Sequence, residues 1–118
     1  MKKILVASAA VFFAMASTAM AWNVSLVEQW GTGNAAMVAQ LGSNLAYTGQ
    51  VGTMNGSMTM QAGVGNGAST IQMGTGNGAV TAQMGMLNGS MTVQTGDLHE
   101  AATAQSGTGN LSMTVQGN

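Results

Sequence analysis

From Asn23 onward the chain carries one pattern of polar and apolar positions, repeated nine times. Each copy reads Asn, any residue, a small residue, any residue, Thr or Val, any residue, Gln. In order, the alternate residues are Asn23-Ser25-Val27-Gln29, Asn34-Ala36-Val38-Gln40, Asn44-Ala46-Thr48-Gln50 and Asn55-Ser57-Thr59-Gln61. Then come Asn66-Ala68-Thr70-Gln72, Asn77-Ala79-Thr81-Gln83, Asn88-Ser90-Thr92-Gln94, His99-Ala101-Thr103-Gln105 and Asn110-Ser112-Thr114-Gln116. A period of two is the signature of a strand, so these residues share one face. The other face carries Val24, Leu26, Met37, Leu45, Tyr47, Met58, Met60, Ile71, Val80, Met91, Val93, Met113 and Val115, with glycines and alanines between them. Gly-rich connections such as Trp30-Gly31-Thr32-Gly33 separate the copies and supply the positive φ of tight corners.

The Gln positions fall eleven residues apart, except from Gln40 to Gln50, where the corner Leu41-Gly42-Ser43 is one residue short. A period this short is one strand and one turn. It predicts an all-β chain: a β-solenoid of about nine short strands, two strands per turn. Strands two copies apart then stack in parallel at about 4.8 Å. Asn lies over Asn and Gln over Gln, so each side-chain amide satisfies the next. A buried amide left alone would cost about 1–3 kcal/mol. Four copies also read Asn-Gly, at Asn55-Gly56, Asn66-Gly67, Asn77-Gly78 and Asn88-Gly89. Those pairs are type I′ hairpin signals, which leaves an antiparallel meander as a competing expectation.

Residues 1–21 follow a different rule. Lys2-Lys3 is a positive n-region, Ile4 to Met15 an apolar run, and Ala19-Met20-Ala21 a small-residue cleavage site. Together they predict a secretory signal peptide over 1–21 and a mature repeat domain over 22–118. Both basic residues lie in that leader, and three acids and one His are all that remain charged or titratable beyond Tyr. Without a basic patch, nucleic acid is not expected as a partner. Without Cys there is neither a disulfide frame nor a thiolate metal site.

The candidate chemistry is thin. Gly74-Thr75-Gly76-Asn77-Gly78-Ala79 brushes a dinucleotide fingerprint but opens no helix pattern and recurs with the repeat. Asn-x-Ser acceptors at Asn23, Asn55, Asn88 and Asn110 each head a ladder instead. Methionines read as polarizable fillers of an apolar face. Asp97, His99 and Glu100 form one titratable group, in which His99 substitutes for Asn. One His cannot complete a nucleophile, base and orienting set among many Ser and Thr. The expectation is no enzyme, no cofactor, no metal and no small-molecule substrate.

The frame Gln-x-Gly-x-Gly-Asn-x-Ala, three residues, Gln occurs whole at Gln29–Gln40, Gln61–Gln72 and Gln72–Gln83, and with Ser112 for Ala at Gln105–Gln116. It resembles the curlin repeat. Strands that begin with Ser in that family begin with Asn here, and the first copy directly follows the leader. The resemblance implies a β-solenoid subunit or nucleator of curli, the extracellular functional amyloid of bacterial biofilms. It implies as partners other copies of the chain, other curlin-type subunits and an outer-membrane export apparatus. The Asn and Gln positions above, with His99, would be its inward ladders. The rival expectation is a monomeric secreted β-solenoid that binds ice or a repetitive glycan through a regular Thr-bearing face. Such a monomer needs capped ends, and the first and last copies are ordinary repeats without Lys or Pro to blunt an edge.

Overall fold

A computed structural model of the protein describes residues 22–118; the expected signal peptide lies outside the described residues. Seven strands follow one another: β1 (Val24–Thr32), β2 (Ala35–Thr53), β3 (Gly56–Thr75), β4 (Gly78–Met86), β5 (Gly89–Asp97), β6 (Glu100–Thr108) and β7 (Leu111–Gly117). All pairings are parallel, and the strands wind into a β-solenoid of about four turns. The antiparallel meander is not formed. Each Asn of an Asn-Gly pair is about 1% exposed and faces the interior, whereas a hairpin would hold it at a tip in water.

Seven strands accommodate nine copies because β2 and β3 each run through two. In β2 the strand continues round Gly42-Ser43, and in β3 round Gly63-Val64-Gly65, with Gly65 alone left out of the pairing. The expected count of about nine treats every Gly corner as a strand end. At these two corners the stacked backbones stay hydrogen-bonded through the bend.

Two columns result. One stacks β1, the second half of β2, the second half of β3, β5 and β7. The other stacks the first halves of β2 and β3 with β4 and β6. Within each column like residues meet: Gln50 on Gln72, Thr70 on Thr92, Gly85 on Gly107. The short corner does not break this register. Ser43 pairs with Val64 and Asn44 with Asn66, so Gly65 is passed over and absorbs the missing residue. A one-residue slip carried into the strand would have turned every inward amide outward.

The core is unusual in its chemistry. Among the described residues only Val38, Ala46, Ala68 and Ala79 are buried apolar residues, while the bulkiest fully buried side chains are Gln, Asn and Thr. Most large apolar residues, among them Met37, Met58, Val80 and Met91, face outward. Burial of hydrocarbon therefore contributes little to this interior. Hydrogen bonding between stacked rungs carries the specificity instead.

The corners explain the glycines. A Cβ on Gly74, whose φ is 129°, would stand 1.8 Å from the carbonyl oxygen of Gly96 on the next rung. The same collision awaits Gly31, Gly42, Gly52, Gly63 and Gly85. A second corner position also takes positive φ, and there Gly33, Gly65, Gly76 and Gly109 alternate with Met54, Leu87 and Leu98. Those three non-glycine residues hold a left-handed conformation that costs each roughly 1–2 kcal/mol.

Candidate functional site: the amide ladders and the open ends

The Gln side chains form two continuous hydrogen-bonded rows. In one, Nε2 of Gln29 donates to Oε1 of Gln50 at 2.6 Å, Gln50 to Gln72 at 2.7 Å, Gln72 to Gln94 at 2.8 Å and Gln94 to Gln116 at 2.9 Å. In the other, Gln40 donates to Gln61 at 2.7 Å, Gln61 to Gln83 and Gln83 to Gln105, both at 2.8 Å. Each interior amide has a second N–H, and it crosses the core. Gln72 Nε2 reaches the Gly56 carbonyl at 3.0 Å, Gln83 that of Gly67 at 3.1 Å, and Gln94 that of Gly78 at 2.9 Å. The Gln rows thus join the two columns as well as the rungs.

The Asn rows run the other way. Nδ2 of Asn77 donates to Oδ1 of Asn55 and Asn88 to Asn66, both at 3.1 Å; Asn66 donates to Asn44 at 2.9 Å and Asn55 to Asn34 at 3.2 Å. The same Oδ1 atoms accept the main-chain N–H of the following rung, as when Asn77 N meets Asn55 Oδ1 at 3.1 Å. Asn Nδ2 also caps the corner behind it, through the carbonyl four residues back and a Gly carbonyl of the next rung, as Asn88 does with Met84 and Gly107. Gln donors point toward the C-terminal end and Asn donors toward the N-terminal end. The Gln and Asn rows therefore run in opposite senses along the axis.

Burial follows position in the stack. Asn34, Gln40, Asn44, Gln50, Asn55, Gln61, Asn66, Gln72, Asn77, Gln83, Asn88, Gln94 and Gln105 are buried. Gln29, His99 and Gln116 are half-buried, and Asn23 and Asn110 on the end rungs are exposed. His99 keeps the rung: its N–H donates to Asn77 Oδ1 at 3.0 Å, and its Nε2 lies 3.2 Å from the Thr95 carbonyl, the bond that Asn makes elsewhere.

The Thr residues lie inward too. Thr48, Thr59, Thr70, Thr81 and Thr92 are no more than 1% exposed, so this Thr row is not a surface for ice or glycan. The hydroxyls of Thr48, Thr59, Thr70 and Thr103 have no hydrogen-bond partner among the described residues. Among the described residues no group of three or more His, Asp or Glu side chains converges on a metal-sized site. Outside the core, Tyr47 Oη donates to Glu28 Oε2 at 3.3 Å. Loss of hydration, and then the Glu28 carboxylate, push that phenol up from its ordinary value.

Among the described residues the ladders stop open at both ends. The C-terminal face ends in β6 and β7. There, among the described residues, Gln105 Nε2 is buried and finds no partner, and Gln116 Nε2 bonds only the Glu100 carbonyl. The N-terminal face ends in β1 and the first half of β2, where Gln29 and Gln40 donate inward and no side chain among the described residues donates to their Oε1 atoms. Sequence alone predicts ladders; the direction of each row, the cross-core bond of Gln and the corner cap of Asn depend on side-chain placement. The left-handed residues could have been read earlier, since Met54, Leu87 and Leu98 occupy the slot that Gly fills in four other copies.

Comparison of the chain with known protein families and with characterised proteins finds no match to either.

Proposed function

We propose that this chain is a secreted structural protein that self-assembles into curli-like extracellular amyloid fibres, as subunit or nucleator. The observation that carries this reading is the pair of ends: two parallel sheet edges whose backbone is unpaired among the described residues, each continuing a side-chain ladder without a next rung there. An unprotected edge of this kind is a template for another chain. Identical stacked amides are what makes cross-β assemblies stable. The resemblance to curlin repeats in the frame Gln-x-Gly-x-Gly-Asn supports the same reading from the sequence side. In this account other copies of the chain are the partner, and the leader over 1–21 directs secretion and is removed before Trp22. A monomeric binding module is less well supported, because the buried Thr row denies it a regular hydroxylated face.

The test is expression of the full-length chain with its leader, followed by thioflavin fluorescence, fibre diffraction and N-terminal sequencing of the extracellular material. Fibres with a meridional reflection near 4.8 Å are expected, with a mature N-terminus at Trp22. Secreted protein that stays monomeric and gives no thioflavin signal after seeding would overturn the proposal.

A further inference from the structure

The end faces do more than invite a second copy: they specify how it must be turned. We infer that successive copies stack N-terminal face on C-terminal face, each rotated by about half a turn about the solenoid axis relative to the last. The inference rests on the assembly reading above and adds the symmetry of the fibre.

Polarity comes first. Gln donors all point toward the C-terminal end. The C-terminal face therefore offers Gln105 and Gln116 Nε2, and the N-terminal face offers Gln29 and Gln40 Oε1. Two N-terminal faces together would oppose acceptor to acceptor, and two C-terminal faces donor to donor. The head-to-tail contact pairs Gln donor with Gln acceptor, and Asn with Asn, in the register used within the chain, which makes the interface heterologous and open-ended.

Parity then sets the rotation. The described residues contain nine copies, five in the column that holds β1 and β7 and four in the column that holds β4 and β6. The column of four is thus one rung short at the C-terminal face, beside β7. If the next copy kept the same orientation, its β1 would sit on β7, and one rung of the other column would be missing at the joint. Gln105 Nε2 would remain buried without a partner. If the next copy turns by half a turn, its β1 sits on β6 and the first half of its β2 sits on β7. Every rung is then present. Gln105 donates to Gln29 of the incoming copy, and Gln116 donates to Gln40. Within the chain Gln Nε2 also donates to the carbonyl 16 residues back, as Gln94 does to Gly78 and Gln116 to Glu100. Continued across the joint, that rule aims the incoming Gln29 at the Leu111 carbonyl, a bond Gln29 lacks in the single chain. The Asn row continues as well, with incoming Asn34 over Asn110 and Asn23 over His99.

Outward neighbours distinguish the two arrangements. Glu28, Ala104 and Val115 hold the same outward position in their copies, as Ala82 over Ala104 and Val93 over Val115 illustrate. With the half turn, Glu28 of one copy lies over Ala104 of the next; without it, Glu28 lies over Val115. The chain has no cysteine, so introduced thiols are the only ones present. Stacked neighbours about 4.8 Å apart fall within disulfide reach.

The experiment compares the full-length chain carrying Glu28→Cys with Ala104→Cys against the chain carrying Glu28→Cys with Val115→Cys. Both are assembled and then mildly oxidised. The first pair should give a ladder of covalent multimers in denaturing gels, and the second should not. Helical reconstruction of wild-type fibres should give a rise of about 22 Å per subunit, from nine half-turn steps, with a rotation near half a turn. Crosslinking through Val115 alone, or a rise near 24 Å without the half turn, overturns the inference and leaves the assembly reading standing. Protein that forms no fibres at all overturns both.

Discussion

Replacing Gln72 with Leu removes the centre of the longer Gln row. The side chain is 0% exposed and takes part in three hydrogen bonds: it accepts from Gln50 at 2.7 Å, donates to Gln94 at 2.8 Å and donates to the Gly56 carbonyl at 3.0 Å. Leu keeps roughly the volume but none of these bonds. One N–H of Gln50 and the Oε1 of Gln94 are then buried and unpaired, at about 1–3 kcal/mol each. The apolar side chain returns roughly 1–2 kcal/mol through its own burial. A net loss of about 3 kcal/mol is expected, or roughly a hundredfold in the folding equilibrium. The control is Val80→Thr, on the outer face at 43% exposure, which should cost under about 0.5 kcal/mol. The assay is denaturant unfolding of the freshly secreted monomer by circular dichroism, with seeded elongation rates measured in parallel. Elongation of the Gln72→Leu chain should fall with its stability. If Gln72→Leu and Val80→Thr unfold at the same denaturant concentration, the amide rows do not hold the fold together.

Gly74→Ala should be more damaging than its size suggests, because its Cβ would meet the Gly96 carbonyl at 1.8 Å while φ is 129°; a loss above about 3 kcal/mol is expected, and an unfolding midpoint equal to wild type would refute the corner geometry. Leu87→Gly should raise stability by about 0.5–1 kcal/mol, since it relieves a left-handed residue that is 68% exposed; a lower unfolding midpoint would show that the contact of Leu87 with Gly65 outweighs its backbone strain.

Much of this fold was legible in the residues themselves. The eleven-residue spacing of Gln50, Gln61, Gln72 and Gln83 determined a repeat, and the period-two pattern between Asn and Gln determined strands and which residues share a face. Local chemistry also determined that Gly31, Gly52 and Gly74 would stand at corners. What local chemistry could not decide was pairing. Asn-Gly favours a hairpin over short range, and only the stacking of residues 22 apart, with Asn77 buried under Asn55, makes parallel pairing prevail. Nor could spacing show that β2 and β3 pass unbroken round their corners, since that depends on backbone bonds to a rung one full turn away. The direction of each amide row is likewise a tertiary property. An amide is both donor and acceptor, so sequence permits either sense. In the structure the carbonyl across the core captures one N–H of each interior Gln from Gln40 to Gln94, and the corner carbonyls capture the Asn Nδ2. Those captures turn the Gln donors toward the C-terminal end and the Asn donors toward the N-terminal end.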